Sequence, residues 1–278
     1  MIQFFLLLVL SSPFAFAGAP KPAYYGREFY SSNATNEELK KQLFLILSTA
    51  HQTDSSGFDQ IGAKCSPGPI CYIHTAVGYT RARQFIFGEF YLVKDARGYG
   101  VKDVYCSRIA PSSEFPGAKP GPNIIPDPRV LNAEHTWPQS KFTRAFPEDL
   151  QKSDMHHLFP TDSLMNAKRG NFDFGNVAVD SEKLKCPESR IGHTKATGST
   201  IFEVPNEHKG NVARALFYFS VRYKLAISPE QEATVREWNR LDPVDEEELR
   251  HNESVFALQF DRNPFVDFPE LAERIADF

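Results

Sequence analysis

The sequence lacks the features that several classes of protein require. Its 278 residues include only 4 cysteines, and no Cys-x-x-Cys pair is present to favour a structural zinc site. Beyond the first residues, no stretch approaches the roughly 20 uninterrupted apolar residues that a membrane-spanning helix needs. The formal net charge of -4 argues against a uniformly basic nucleic-acid binder. Since no internal repeat or low-complexity tract is found, a single domain with its own core is expected.

The start of the chain is its most apolar part. Residues 1–17 form a short uncharged run that ends in an Ala-x-Ala pattern, as secretory signals do. We therefore predict a signal peptide over residues 1–17 and a single domain over residues 18–278. The mature protein is expected to be secreted or periplasmic, to make no membrane contact and to be a monomer. Because a positively charged n-region is missing, a buried N-terminal helix is the alternative.

The cysteines all lie in the part of the chain that would be exported. An oxidising compartment favours disulfides over metal ligation, and four thiols allow three pairings. We favour Cys65 with Cys71, across the Pro-Gly-Pro turn between them, and Cys106 with Cys186. Free buried thiols are the alternative.

Hydrophobic periodicity and capping patterns predict a mixed α+β chain. Helices are expected over residues 36–50, 80–87, 211–226, 228–241 and 244–260. The first of them opens with a capping box that starts at Thr35, and the arginines of the second, Arg81 and Arg83, are expected to face solvent. A hairpin is expected from residues 90–93 and 101–105. The proline-rich residues 110–128 are expected to form neither a central strand nor a helix.

Further strands and a helix are predicted near the centre of the chain. Strands are expected over residues 130–135 and 155–159, followed by a helix over residues 163–169. Thr161 or Asp162 would be the N-cap of this helix. Asn166 would then lie one turn inside the helix and face the strands.

Residues 134–174 combine carboxylates, three histidines, carboxamides and cations. Metal-assisted hydrolysis of a phosphate ester needs this mixture. A hard cation such as Mg²⁺ takes oxygen ligands and keeps several waters, so one carboxylate and one carboxamide would hold it. A neutral histidine, with an ordinary pKa of about 6.5, can accept a proton from an attacking water. Arg144 is the first candidate for the cation that offsets the phosphate charge, followed by Lys168 and Arg169.

Two sequence motifs in this stretch carry a family resemblance. They are EHTWPQS, from residue 134, and DMHHLFPTDSLMNAKRGNFDFG, from residue 154. Together they resemble the bacterial endonuclease I family of secreted or periplasmic nucleases. The resemblance covers roughly residues 79–265, including GNVARA and RNPF in the C-terminal part. It implies an α+β fold with a ββα-metal (His-Me finger) nuclease core and flanking helices.

The resemblance also implies roles for individual residues. His135 would activate the water, and Glu134 and Asn166 would bind the metal, which is expected to be Mg²⁺, with Mn²⁺ or Ca²⁺ as other candidates. An arginine after the first strand would contact the phosphate, and Arg144 fits this place. Cleavage would leave 5'-phosphate and 3'-hydroxyl ends.

Other residues of the stretch receive secondary predictions. Asp154 and His156 would orient His135 or the metal-bound water, and His157 would do the same or contact the substrate. Lys168, Arg169 and Asn171 are further candidates for substrate contact. For the histidines and Asp154, a hydrogen-bonded structural role is the alternative, and Asn171 could instead cap the helix with Gly170. Trp137 has two possible roles, stacking on a base of the substrate or packing in the core.

The leading hypothesis is a secreted, Mg²⁺-dependent endonuclease with little sequence preference, since no base-reading element is found. DNA, RNA or both would be the substrate. One alternative is a catalytically silent nucleic-acid-binding protein on the same scaffold. Another is a zinc-dependent hydrolase that uses His135, His156 and His157, although no His-Glu-x-x-His pattern supports it.

Overall fold

The computed structural model describes residues 21–66, 68 and 70–278. The predicted signal peptide lies outside the described residues. The architecture is α+β, as expected from the sequence, with small antiparallel sheets and a large helical part. In the part of the chain that is described, no helix is both long and apolar enough to cross a membrane.

Helices and strands are mixed along the chain up to residue 203, and only helices follow in the described residues 204–278. The helices are α1 (Lys21–Ser31), α2 (Asn36–Ser48), α3 (Tyr79–Phe85), α4 (Glu148–Lys152), α5 (Ser163–Arg169), α6 (Lys209–Tyr223), α7 (Pro229–Leu241), α8 (Glu246–Gln259) and α9 (Pro264–Asp267). The strands are β1 (His51–Thr53), β2 (Asp59–Ile61), β3 (Cys71–Tyr72), β4 (Leu92–Asp95), β5 (Gly98–Asp103), β6 (Arg108–Pro111), β7 (Leu131–His135), β8 (Leu158–Asp162), β9 (Asp173–Phe174), β10 (Val179–Glu182), β11 (Arg190–His193) and β12 (Thr200–Glu203).

The strands form four small sheets. Three of them have the strand orders β2-β1-β3, β4-β5-β6 and β10-β11-β12-β9, and the fourth is the pair β7-β8. Only the contact between β12 and β9 is parallel among these pairings. The predicted hairpin is confirmed as β4 and β5, and β6 adds an edge strand to it. Its proline, Pro111, ends that strand at the edge of the sheet, where a missing N–H is tolerated.

The predicted helices are confirmed, with differences at their ends. Thr35 is the N-cap of α2, but its side chain makes no capping hydrogen bond. After α3 the chain continues in a π-helical turn, Ile86–Phe90, so the hairpin begins two residues later than predicted. Gly88 lies in this turn, where a Cβ would be only 2.7 Å from the backbone nitrogen of Ile124, so only glycine fits.

The predicted strand over residues 155–159 is wrong in its position. Met155–His157 form a 3-10 turn, and the strand is Leu158–Asp162. The turn is stabilised because the Asp154 carboxylate accepts a hydrogen bond from the backbone N–H of His156. The N-cap prediction is confirmed at Asp162, whose carboxylate accepts from the backbone N–H groups of the first turn of α5.

The core is centred on α6, which is buried over almost its whole length. Its Phe219 ring lies 5.3 Å from the ring of Trp137 and 5.6 Å from that of Phe142, both in stacked orientation. Trp137 is 5% exposed and donates from its indole nitrogen to the carbonyl of Lys141. Trp137 is therefore an anchor of the core, which was one of its two predicted roles.

Both predicted disulfides are present. Cys65 bonds to Cys71 within the β1-β2-β3 region, and Cys106 bonds to Cys186 across a separation of 80 residues. The longer link ties the turn after β5 to the segment before β11. Because it closes a long loop, it restricts the unfolded chain more than the short link does.

Candidate active site

A cavity of about 450 Å³ lies over β7 and α5. Its remaining wall comes from α3, the 3-10 turn Gln139–Lys141 and part of the proline-rich segment before β7. Its polar lining residues are Tyr79, Arg83, Asn132, Glu134, His135, Gln139, Ser140, Ser163, Asn166, Arg169 and Asn171. The cavity therefore gathers half of the ten site residues that were predicted from the central stretch.

The two strands and α5 place these residues. In the antiparallel pair, Glu134 is opposite Phe159 and His135 is opposite Leu158. Helix α5 follows β8 without a loop, so its inner face lies against β7. His135 is the last residue of its strand and the chain bends directly after it, and both His135 and Glu134 line the cavity.

His135 is held as a neutral imidazole with one defined tautomer. Its Nε2 lies 3.1 Å from the carbonyl oxygen of Lys152, and a carbonyl oxygen can only accept, so Nε2 carries the proton. Nδ1 then bears the lone pair, and it accepts from the amide nitrogen of Gln139 at 3.2 Å. Burial, with the positive charge of a protonated His157 acting in the same direction, lowers the pKa of His135 to about 3. His135 is therefore unprotonated at neutral pH, with the lone pair on Nδ1.

Asn166 offers an oxygen atom to the cavity. Its Nδ2 donates to the side-chain oxygen of Asn132 at 2.7 Å and to the carbonyl oxygen of Ala133 at 3.3 Å. Since the Ala133 carbonyl can only accept, the nitrogen must face it, and Oδ1 points the other way. The amide orientation is therefore determined by β7.

Glu134 and Arg169 form a buried ion pair. The Nη1 of Arg169 lies 2.7 Å from Oε1 of Glu134, and each side chain is 2% exposed. Burial raises the pKa of Glu134, and the charge of Arg169 opposes this effect. The same guanidinium donates to the carbonyl oxygens of His135 and Thr136. Arg169 was predicted to contact the substrate, but its guanidinium is hydrogen-bonded to the protein itself.

The other predicted substrate contacts lie in different places. Asn171 lines the cavity and makes one long contact, 3.4 Å, to the hydroxyl of Ser140, while Gly170 at φ 55° ends α5. Lys168 points away and pairs with Glu182 at 2.8 Å. Arg144 is exposed and does not line the cavity. The structure therefore brings Asn171 to the site but not Lys168 or Arg144.

His157 lies behind His135 and is fully buried. Its ring centroid is 5.3 Å from that of His135, and its Nε2 bonds to the carbonyl of Gln151 at 2.9 Å. Burial lowers the pKa of His157 to about 4. The residue does not line the cavity, so direct contact with a substrate would require rearrangement, whereas packing against His135 does not.

Asp154 and His156 belong to a buried hydrogen-bond cluster on the far side of His157. Asp154 accepts from the phenols of Tyr218 and Tyr223, both at 2.8 Å, and from the amide of Gln259 at 2.9 Å. Asp261 accepts from the same Tyr218 hydroxyl at 2.5 Å. The cluster orders the chain between α4 and β8, directly after Lys152, whose carbonyl holds His135.

Two groups of side chains elsewhere have the spacing of a metal site, within the part of the chain that the structure describes. One contains Cys106, Asp162 and Cys186, whose sulfur atoms are bonded to each other. The other contains His74, Asp154 and Asp261, whose carboxylates already accept from the tyrosines and the glutamine. The sulfur atoms of the first group and the carboxylates of the second are thus engaged within the protein, although Nε2 of His74 has no hydrogen-bond partner among the described residues. The three histidines of the zinc hypothesis do not form such a group in the described residues.

Several residues at the cavity were not singled out from the sequence. Gln139 is the fourth residue after His135, and the 3-10 turn that it begins brings its amide nitrogen within hydrogen-bond distance of Nδ1 of His135. Arg83 lines the cavity, although both arginines of α3 were expected to face solvent; Arg81 instead pairs with Glu89. Tyr79, one helical turn before Arg83, could have been found from that spacing.

Much of the cavity lies in a segment of the chain that matches a known protein family. The sequence model of Endonuclease I matches residues 110–270, which is more than half of the chain. The chain belongs to the Endonuclease I family. The match includes β7, β8 and α5, and hence Glu134, His135 and Asn166.

Individual proteins that resemble the chain are named as extracellular nucleases. The chain is 36% identical over 165 residues to the extracellular ribonuclease of Bacillus amyloliquefaciens, with 52% of this chain and 53% of the relative covered. It is 28% identical over 123 residues to an extracellular deoxyribonuclease of Aeromonas hydrophila, with 42% of this chain and 49% of the relative covered. The chain thus spans about half the length of the curated relatives it matches.

Proposed function

We propose that this chain is a secreted, Mg²⁺-dependent endonuclease that hydrolyses phosphodiester bonds of DNA or RNA with little sequence preference. The observation that carries the proposal is the orientation of His135. Its Nδ1 lone pair lies at a cavity that also receives the carboxylate of Glu134 and the carboxamide oxygen of Asn166. A base and two oxygen ligands within one cavity suit metal-assisted phosphoryl chemistry.

His135 would be the general base. A water in the cavity would donate a proton to Nδ1 while its oxygen forms a bond to phosphorus. The hydrogen bond that Nε2–H donates to the Lys152 carbonyl keeps the proton on Nε2 and stabilises the imidazolium that forms. Gln139 would have to give up its contact with Nδ1 or hold the water beside it.

Glu134 and Asn166 fit a hard divalent cation. Both offer oxygen, and β7 engages the amide nitrogen of Asn166, while no described residue donates to its Oδ1. Mg²⁺ keeps several waters, so two protein ligands are sufficient, and Mn²⁺ and Ca²⁺ accept the same kind of ligand. The cation, when bound, would stabilise negative charge on the leaving oxygen. The order β7-β8-α5, with these residues on it, supports a ββα-metal core.

The product ends follow from which bond breaks. If the bond from phosphorus to the 3' oxygen breaks, the water oxygen remains on the phosphate, and the 3' oxygen takes a proton from solvent. The products are then a 5'-phosphate and a 3'-hydroxyl. The names of the relatives include ribonucleases and deoxyribonucleases, which supports both polymers as substrates. Their extracellular names and the predicted signal peptide support export.

The first experiment compares the wild-type chain with His135→Ala on supercoiled plasmid and on structured RNA, in Mg²⁺ and in EDTA. Cleavage is expected in Mg²⁺ only, with a loss of at least about 100-fold in the variant. His193→Ala is the matched control, because His193 is exposed and lies on β11. Labelled ends identify the products.

The outcomes separate the proposed function from its alternatives. Equal cleavage by wild type and His135→Ala would remove His135 from the mechanism. Binding of both polymers without cleavage in any divalent cation would instead favour a silent scaffold. Activity that returns with Zn²⁺ but not with Mg²⁺ would favour the zinc hydrolase.

A further inference from the structure

The cavity contains two arginines, and only one is committed to the protein. Arg169 donates to Glu134 and to two backbone carbonyls. The guanidinium group of Arg83 donates to no described residue, and its Nε, like the Nε of Arg169, is buried without a hydrogen-bond partner in the described part of the chain. A guanidinium group in this situation has donors available for an anionic ligand.

Arg83 is held in place by an aromatic ring. Its guanidinium carbon lies 4.8 Å from the centroid of the Tyr79 ring, one turn earlier on α3. A cation over a ring is stabilised by the ring quadrupole and keeps its donors free. The Tyr79 ring itself lies 5.5 Å from the ring of His135. Arg83 is thus positioned beside the predicted base.

A second cation meets the same ring. The ammonium group of Lys152 lies 5.1 Å from the centroid of Tyr79, and this ammonium group forms no ion pair with a described carboxylate. Lys152 is the last residue of α4, and its backbone carbonyl accepts from Nε2 of His135. The residue that orients the base through its backbone therefore also brings a positive side chain toward it.

We propose that Arg83 binds the phosphate group of the nucleic-acid strand in this cavity, that Lys152, which does not line the cavity, adds a positive charge from the same Tyr79 ring, and that Tyr79 positions both side chains. The proposal rests on the proposed function, because it names the cations that this reaction needs. Arg83 can contact two phosphate oxygens at once, and Lys152 adds a mobile point charge. Negative charge that grows on the phosphate in the transition state would be offset by both. Arg83 thereby replaces Arg144 as the phosphate-binding arginine.

The test uses four variants of the full chain: Arg83→Gln, Arg83→Lys, Arg81→Gln and Arg144→Gln. Cleavage of plasmid in Mg²⁺ gives kcat/KM, and the anisotropy of a fluorescein-labelled single-stranded oligonucleotide gives affinity in a His135→Ala background. Arg83→Gln is expected to lower kcat/KM by on the order of 100-fold. The kcat/KM of Arg83→Lys should lie between those of wild type and Arg83→Gln, because the charge remains but the contact with two phosphate oxygens is lost.

Arg81→Gln is the matched control. Arg81 lies on the same helix but pairs with Glu89 at 2.6 Å, so its loss is expected to change kcat/KM less than about threefold. Arg144→Gln should also have a small effect. In the binding assay, Arg83→Gln should lower the slope of log affinity against log salt concentration by about one, as loss of one phosphate contact does.

The result that overturns the inference is an Arg83→Gln variant with wild-type cleavage and salt dependence. A larger loss in Arg144→Gln than in Arg83→Gln would overturn it as well. If Arg83→Gln also lowers the urea midpoint, its loss of activity could come from lost stability. The kcat/KM and salt dependence of Arg83→Lys then test the inference, since this variant keeps the charge and most of the packing. The proposed function fails independently, when His135→Ala cleaves as well as wild type.

Discussion

The guanidinium of Arg169 joins the end of α5 to the end of β7, with Nη1 at 2.7 Å from Oε1 of Glu134 and at 3.0 Å from the carbonyl oxygen of His135. Its carbon also lies 4.3 Å from the centroid of the Phe174 ring. Glu134, His135 and Phe174 are all residues of the protein, so these contacts of Arg169 are structural. Arg169 therefore determines the relative position of the base, the carboxylate and the helix that carries Asn166.

Arg169→Gln is expected to lower the free energy of unfolding by about 3–5 kcal/mol, because it leaves the buried carboxylate of Glu134 unpaired. Arg169→Lys should be milder, but it still loses the contacts to two carbonyls. Urea titration measures both. A variant with an unchanged urea midpoint that loses only oligonucleotide affinity would return Arg169 to the substrate-binding role predicted from the sequence.

Asn166→Ala is expected to raise the Mg²⁺ concentration for half-maximal cleavage by about 10–100-fold, because the carboxamide oxygen is lost. Oligonucleotide affinity without a divalent cation should not change. Asn132→Ala is the comparison, since it removes only the partner that orients the amide, and its shift should be smaller. Equal Mg²⁺ dependence in all three proteins would exclude Asn166 as a ligand.

Asp154→Asn is expected to destabilise the fold by about 1.5–3 kcal/mol, because the amide cannot accept all of the hydrogen bonds that the carboxylate accepts. Although burial opposes ionisation, the neighbouring His74 holds the pKa of Asp154 below its usual value. Tyr223→Phe removes one of these bonds and should cost less. An Asp154→Asn variant that is as stable as wild type, yet inactive, would instead indicate a direct role in catalysis.

Acidification is expected to destabilise the protein between about pH 6.5 and pH 3. Burial lowers the pKa of His208 and of His251 to about 3, so the unfolded chain binds protons in this range that the folded chain does not. Each such histidine lowers the free energy of unfolding by about 1.4 kcal/mol per pH unit as the pH falls through this range.

His251→Phe tests this dependence. The ring packs among aromatic side chains, 4.9 Å from Phe90 and 6.1 Å from Phe159, and its Nε2 has no described hydrogen-bond partner. The variant should lose less stability than wild type between pH 7 and pH 4, as measured by urea unfolding. His193→Gln should match wild type, because that histidine is exposed. Parallel curves for all three would show that His251 titrates normally.

Removal of the Cys106–Cys186 disulfide by a double alanine substitution is expected to cost about 4 kcal/mol, and removal of Cys65–Cys71 about 2 kcal/mol. The difference follows from the separations of 80 and 6 residues, since the longer loop loses more conformational entropy when it is closed. Thermal unfolding under non-reducing conditions compares the two. The reverse order would show that native contacts, rather than loop closure, determine the stabilisation.

Local patterns in the sequence were sufficient for the longer helices after residue 35, for the β4-β5 hairpin and for β7. Ser228 followed by a proline and an acidic turn predicts the start of α7, and Asp162 predicts the start of α5, because caps act through neighbouring residues. The strand at residues 158–162 was misplaced for a different reason. The preceding turn depends on Gln259, whose side chain bonds to Asp154 and to the backbone of Met155 from more than 100 positions away.

The sequence by itself determined the α+β class, the family and the candidate residues Glu134, His135 and Asn166, because these depend on local spacing and short motifs, whereas it favoured the two disulfide pairs and left other pairings open. Only the tertiary structure decided which cation is free. Arg169 and Arg83 have the same side chain, but the Nη atoms of Arg169 donate to a carboxylate and two carbonyls, while no described residue accepts from the guanidinium of Arg83, which lies over Tyr79. That difference arises from contacts between α3, β7 and α5, which are distant in the chain and adjacent only after folding.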